Sequence, residues 1–104
     1  MSDTNNILTP EEAERKIQEI ATYADIIPAY HYYEKGLALR NYSLQDVRHA
    51  LKNGKIVDPP EYDDFYRNWE YNVEGRTIDG DEVIAVVVII NHRTVKVITI
   101  KPKE

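Results

Sequence analysis

The 104-residue sequence contains no cysteine, which excludes a disulfide framework, a thiolate metal site and a cysteine nucleophile. It also lacks any apolar run near the roughly 18 residues that a membrane-spanning helix needs. The opening Met-Ser-Asp-Thr-Asn-Asn has neither the basic nor the apolar region of a secretory signal. We therefore expect a cytoplasmic protein with no membrane partner.

Positive charge is also in short supply, with 13 Lys and Arg against 18 Asp and Glu and a net charge of −5. Such a chain is not a typical nucleic-acid binder, because neutralising phosphates dominates that affinity. Half of the acidic residues fall within positions 58–82, so the rest of the surface is more basic than the total suggests. A local basic patch therefore remains compatible with the composition.

Histidine is rare as well, and its three positions, 31, 49 and 92, share no spacing typical of metal ligands. The glycines form no phosphate-cradling loop. The sequence therefore predicts no metal and no cofactor. Tyrosine, in contrast, occurs eight times, against one Phe and one Trp. Tyrosine suits interfaces and pocket walls because its ring is apolar and its tip is polar.

The helical signals lie in the first half of the chain, after a flexible arm at residues 1–8. Thr9, Pro10 and Glu12 form a capping box with proline in the first turn. An apolar stripe follows, and Pro28 is expected to end the helix. The stripe consists of Ala13, Ile17, Ile20, Ala24 and Ile27.

Two further helices are predicted before the helical periodicity of the sequence ends at Gly54. Residues 29–40 form a second helical segment, although Gly36 weakens it. Ser43 and Asp46 then cap a third helix, which ends at Asn53 with Gly54 in the left-handed conformation.

After Gly54 the apolar residues alternate with a period of two, which is typical of strands. Residues 55–57 predict an edge strand, and residues 69–74 a strand with one wet face. Asp79 and Gly80 suit a hairpin turn, residues 83–90 a central strand, and residues 94–100 the last strand. The sequence thus predicts a single α+β domain over residues 9–104. Its helices pack on one face of a three- or four-stranded antiparallel sheet.

The order of these motifs resembles the bacterial domain-of-unknown-function 4258 family over about residues 29–101. The resemblance includes residues 40–47, 50–51 and 53–57 in the helix and turn region. It continues in the strands with the Trp69-x-Tyr71-x-Val73-x-Gly75 pattern, the pair at 79–80 and residues 86–88. Members of that family are similar in outline to the RelE and MqsR ribonuclease toxins. The resemblance therefore implies a RelE-like fold and a toxin that cleaves mRNA without a metal, with a cognate antitoxin protein and RNA as partners.

Metal-independent RNA cleavage requires a base for the 2′-hydroxyl, an acid for the leaving oxygen and cations for the phosphorane. Arg40 matches the helical arginine of the family, whose helical histidine falls at Tyr32, one position from His31. The predicted catalytic residues are Arg40, His31, Lys96 and Arg76. The predicted RNA-binding residues are Trp69, Tyr71, Tyr32 and Arg67, of which the first two could stack on a base.

Several of these residues also have a purely structural interpretation. His31 can be a half-buried, hydrogen-bonded side chain, and Trp69 can simply pack on the sheet. Lys96 can keep one strand face wet, and His49 is expected to be solvated on the back of its helix. The alternative function is a non-catalytic module of the same fold that binds a protein through a tyrosine-rich surface.

Overall fold

The computed structural model describes residues 7–28, 42–65 and 67–103. The helices in this part of the chain are α1 (Pro10–Tyr23) and α2 (Leu44–Lys52). The strands are β1 (Asp25–Pro28), β2 (Lys55–Ile56), β3 (Glu61–Asp63), β4 (Asn68–Arg76), β5 (Glu82–Asn91) and β6 (Thr94–Pro102). No helix in these ranges combines the length and apolarity needed to cross a bilayer.

The strands form one mixed sheet in the order β1-β6-β5-β4-β2, and β3 also pairs with β4. β1 runs parallel to β6, whereas the other pairs are antiparallel. The α+β class is therefore confirmed. The predicted sheet had three or four strands, all antiparallel, whereas the observed sheet has six strands and includes one parallel pair. The RelE-like description goes beyond what this topology establishes.

β1 replaces the last turn of the first predicted helix. α1 stops at Tyr23, and Ala24 adopts an extended conformation. Ile26 pairs with Val95 of β6 and is buried. Extended geometry also suits Ile27, because a residue before proline disfavours the helical region. The predicted stripe is confirmed as buried at Ala13, Ile17 and Ile20, but Ile27 is 40% exposed and lies in β1 rather than in the helix.

Capping boxes begin both described helices, as predicted. The Thr9 hydroxyl accepts from the Glu12 amide at 3.1 Å, and the Glu12 carboxylate accepts from the Thr9 amide at 3.0 Å. Ser43 and Asp46 form the same reciprocal pair at 3.0 and 3.1 Å. The predicted helical segment at 29–40 lies outside the described residues.

The core lies between the helices and one sheet face, which we call the inner face. β5 supplies Val83, Ala85 and Val87 to it, and α1 and α2 cover it with side chains such as Ile17 and Leu51. On the opposite, outer face Val88 and Ile98 form a smaller buried cluster. The central position predicted for residues 83–90 is confirmed, since β5 pairs with β4 on one side and β6 on the other.

Gly54 follows α2 as predicted, but for a different physical reason. It does not have positive φ; Gly80, in the predicted hairpin turn, does, with φ of 92°. A Cβ on Gly54 would come within 2.5 Å of Val73 Cγ1 and 2.6 Å of the Ala50 carbonyl oxygen. Close packing between α2 and β4, rather than a left-handed backbone, therefore requires this glycine.

The N-terminal arm is anchored at its last residue. The Leu8 amide donates to the Tyr71 hydroxyl at 3.0 Å, and Leu8 packs against the core. Residues 1–6 lie outside the described residues.

Candidate functional site

A cleft of about 530 Å³ opens at the end of the sheet where the β4–β5 hairpin meets α2. The helix α2, three strands and the segment after β6 contribute to its wall, and seven of the nine lining residues are polar or charged. The lining residues are His49, Asn53, Lys55, Val57, Glu74, Gly75, Arg76, Glu82 and Lys103.

Gly75 allows α2 to lie directly on β4 beside this cleft. A Cβ at position 75 would collide with the carbonyl oxygen of Ala50. With only hydrogen there, the helix backbone approaches the strand closely enough for His49 to reach it. The His49 Nδ1 atom lies 2.8 Å from the Arg76 carbonyl oxygen.

This hydrogen bond sets the tautomer of the His49 imidazole. A carbonyl oxygen can only accept, so Nδ1 carries the hydrogen and donates it. In the neutral ring Nε2 then holds a lone pair and can accept a proton. His49 therefore presents the cleft with a group suited to general base chemistry.

Four of the charged residues that line the cleft form two ion pairs. Arg76 Nη2 lies 3.0 Å from Glu82 Oε2, and Lys103 Nζ lies 3.0 Å from Glu74 Oε1. The hydrogen bond and the charge of Glu74 raise the pKa of Lys103, so its ammonium holds its proton firmly. Lys55 stands opposite Glu74 in the β2–β4 register.

The sign of the charge is reversed in the cleft relative to the chain. Lys55, Arg76 and Lys103 face Glu74 and Glu82, an excess of one positive charge without counting His49. The whole chain carries −5. The cleft thus offers an anion a locally favourable site on an acidic protein.

Comparison with protein-family models identifies a family that the chain matches. The family model described as Domain of unknown function (DUF4258) matches residues 30–101. The chain belongs to the DUF4258 family. The match spans α2, β2–β5 and all of β6 except its last residue, so the DUF4258 region includes every cleft residue except Lys103. Neither the curated proteins nor the solved structures give a match to the chain.

Arg76 is the predicted catalytic residue that lies in the cleft of this DUF4258 chain. Lys96 lies elsewhere, on the outer face of β6 opposite Val88. Val88 is six residues along β5 from Glu82, which pairs with Arg76. At about 3.3 Å per residue, Lys96 and Arg76 are separated by roughly 20 Å along the sheet. The structure therefore does not bring these two cations to one phosphodiester.

The predicted aromatic platform is built into the inner face. Tyr71 is 3% exposed, and its hydroxyl is hydrogen-bonded to Leu8, so its ring is not open to a base. Trp69 packs against the core and makes an edge-to-face contact with Tyr62 at 5.3 Å between ring centroids. Its buried indole nitrogen has no hydrogen-bond partner in the described part of the chain. Burial in the sheet, not base stacking, accounts for both positions.

Arg67 does not line the cleft. Arg67 is exposed and lies before β4, where its φ of 54° places it in the left-handed region. It contributes a turn conformation that is unusual for a residue with a side chain. Arg40, His31 and Tyr32 lie outside the described residues.

The described tyrosines do not share one surface. Tyr23, 82% exposed, ends α1 beside β1, whereas Tyr62, 45% exposed, lies on β3 at the other edge of the sheet. Tyr71 is in the core, and Tyr42 is partly buried against it. Among the described residues, no continuous tyrosine-rich surface supports the protein-binding alternative.

A carboxylate group lies on the outer face at the β3–β4 edge. Glu70 pairs with Glu61 in the register, and Asp63 lies on the same strand, β3. Burial, helped by a hydrogen bond and charge repulsion from Asp63, raises the pKa of Glu70 from 4.5 to about 7. In the ranges that the structure describes, no three His, Asp or Glu side chains are arranged to hold a metal ion.

Sequence reasoning missed His49, Lys55 and Lys103 as parts of one site. His49 belongs to the third predicted helix, while Lys55 and Lys103 lie at opposite ends of the strand region. The only local signal was the pair of glycines, Gly54 and Gly75, which marks where α2 approaches β4. That signal indicates close packing but does not reveal which side chains meet.

Proposed function

We propose that the chain is a metal-independent endoribonuclease of the toxin type, acting on mRNA in the cytoplasm with a cognate antitoxin as partner. We place its active site in the cleft around His49 and Arg76. The observation that carries this proposal is the collection of cations beside a histidine of defined tautomer in an otherwise acidic chain. The RelE and MqsR outline implied by the family resemblance supports the same reaction class.

In the proposed reaction His49 Nε2 takes the proton of a ribose 2′-hydroxyl. The 2′-oxygen attacks the adjacent phosphorus, and the bond to the 5′-oxygen of the next nucleotide breaks. The Lys55 ammonium gives a proton to that departing oxygen. The products are a 2′,3′-cyclic phosphate and a free 5′-hydroxyl. The proton that His49 gains equals the one that Lys55 gives up, and proton exchange with solvent restores both side chains.

Arg76 and Lys103 supply the charge that stabilises the phosphorane. Guanidinium suits phosphate because its planar fork can donate two parallel hydrogen bonds. Glu74 raises the pKa of Lys103, so this side chain acts as a fixed positive charge rather than as the acid. Preorganised charges of this kind lower the barrier because they need no rearrangement during the reaction.

The first test is cleavage of a defined RNA by the purified full chain in the presence of EDTA. We expect cleavage with cyclic phosphate ends, detectable by mass spectrometry. His49→Ala and Arg76→Ala should each lower the rate by about tenfold or more. The Arg76 to Glu82 pair is exposed, so its loss should change stability by less than about 1 kcal/mol.

Matched controls come from the hairpin between β5 and β6, at the opposite end of the sheet. His92→Ala and Arg93→Ala remove the same side-chain types from exposed positions. They should leave the cleavage rate unchanged. Growth arrest on expression should require His49 and Arg76 but not His92 and Arg93. Intact RNA, or equal losses in cleft and control variants, would overturn the proposal.

A further inference from the structure

Asp46 connects α2 to the hairpin that carries Arg76. One carboxylate oxygen accepts from the Ile78 amide at 3.2 Å, and the other accepts from the Ser43 amide and hydroxyl, both at 3.1 Å. The cap alone would not require the contact to Ile78, which is 32 residues away in the sequence. The Asp46 side chain thus joins two elements as well as capping one.

A second hydrogen bond joins α2 to the hairpin, from His49, which lies one helical turn after Asp46. His49 follows Asp46 by three positions, so their side chains lie on the same helix face. His49 donates to the Arg76 carbonyl and Asp46 accepts from the Ile78 amide. Two helix side chains therefore hold the hairpin backbone on both sides of Thr77.

The hairpin itself is well ordered internally. Thr77 is 2% exposed, its amide donates to the Asp81 carbonyl at 2.9 Å, and its hydroxyl accepts from the Asp81 amide at 3.0 Å. These bonds close the turn between β4 and β5 upon itself. The contacts from Asp46 and His49 join this turn to α2, beside the close packing of Gly75 on Ala50.

We infer that Asp46 is a positioning residue, which holds the hairpin so that Arg76 and His49 stay in register across the cleft. This inference rests on the proposed function, because it assigns Asp46 a role in the same site. Asp46 lies outside the cleft wall and touches no reacting atom. Its effect passes through the Ile78 amide to the backbone that carries Arg76.

The test compares Asp46→Ala with Ser43→Ala. Each variant removes one half of the capping box, but only Asp46→Ala removes the bond to Ile78. Asp46→Asn is the rescue variant, because an amide oxygen can still accept from that N–H. Cleavage is measured well below the melting temperature of each protein.

We expect Asp46→Ala to lower kcat/KM by about tenfold or more, because small displacements in an active site cost this much. KM should rise together with the fall in kcat, since Arg76 would meet the phosphate from a shifted position. A role in helix stability alone would reduce the active fraction and hence apparent kcat, and would leave KM unchanged. Ser43→Ala and Asp46→Asn should stay close to the parent chain, within about threefold.

A second measurement is independent of RNA cleavage. Hydrogen exchange of the Ile78 amide and nitrogen NMR of the His49 imidazole report the two helix-to-hairpin bonds directly. Asp46→Ala should accelerate exchange at Ile78 and change the His49 tautomer signal, whereas Ser43→Ala should do neither. If the parent chain cleaves no RNA, the proposed function fails and these two readouts decide the positioning role. Equal behaviour of Asp46→Ala and Ser43→Ala in kinetics or NMR would overturn the inference.

Discussion

Gly75→Ala is the sharpest test of the packing that creates the cleft. The added Cβ would collide with the Ala50 carbonyl oxygen and lie 3.0 Å from both its carbonyl carbon and its Cα. All three are backbone atoms of α2, so no side-chain rotation can relieve the overlap. Either the helix or the strand must move by several tenths of an ångström or more.

The expected cost follows from two opposing effects. Overpacking a well-filled contact costs about 1–3 kcal/mol. Replacing glycine restricts the unfolded chain and returns about 0.4–1 kcal/mol. We therefore expect Gly75→Ala to lower the free energy of unfolding by about 1–2 kcal/mol, equivalent to a melting temperature lower by roughly 5–15 °C in a chain of this size.

Urea denaturation measures this loss, with Gly80→Ala as the matched control. Gly80 has φ of 92° and nothing within 4 Å of an added Cβ, so its substitution strains only the turn. That strain costs about 1–2 kcal/mol, but it leaves α2 in place. Only Gly75→Ala should also disturb the His49 to Arg76 hydrogen bond. A Gly75→Ala protein with the parental urea midpoint would refute the close packing of α2 on β4.

Two further predictions concern stability away from the cleft. Glu70 binds a proton more tightly in the native chain, where its pKa is about 7, than in the unfolded chain. Stability should therefore fall as pH rises from about 4.5 to about 7, and Glu70→Gln should reduce this fall. Urea titrations at both ends of that window check it, and an unchanged pH dependence would contradict it. Tyr71→Phe removes the hydroxyl that accepts from the Leu8 amide, so we expect a loss of about 1 kcal/mol and faster exchange at Leu8. Parental protection of that amide would show that the bond does not anchor the arm.

Local signals were sufficient to predict where the helices begin. Thr9 and Ser43 each form the capping pair expected from a residue three positions later. These bonds join neighbours in the sequence, so their geometry depends little on the rest of the fold. The hairpin at Gly80 was predictable for the same reason, because a positive φ is a local property.

The end of α1 was not predictable from such signals. Ile27 continues an apolar spacing that fits a helix, yet it pairs with β6, which lies almost 70 residues later in the sequence. Short apolar runs fit helix and strand patterns equally well, and long-range pairing decides between them. Because residues 25–28 pair with β6, the sheet gains the parallel strand β1 and is mixed.

Helix-to-strand packing also explains why His49 was assigned to solvent. Its neighbours Val47, Ala50 and Leu51 are buried, which leaves His49 at the margin of the packed face. A residue at the edge of a packed helix face becomes part of a site only if a second structural element lies next to it. β4 reaches that point at Gly75, and the Arg76 carbonyl meets the imidazole there.

The fold and the candidate site therefore both depend on the close contact between α2 and β4 at Gly75. If α2 stood further from β4, His49 would lose the acceptor that fixes its tautomer, and Asp46 would lose the Ile78 amide. The ion pairs of Arg76 and Lys103 would survive such a shift, because neither partner of either pair lies on α2. Displacing α2 should thus separate two properties of the cleft. Its affinity for an anion should persist through the strand cations, whereas the chemistry assigned to His49 should be lost.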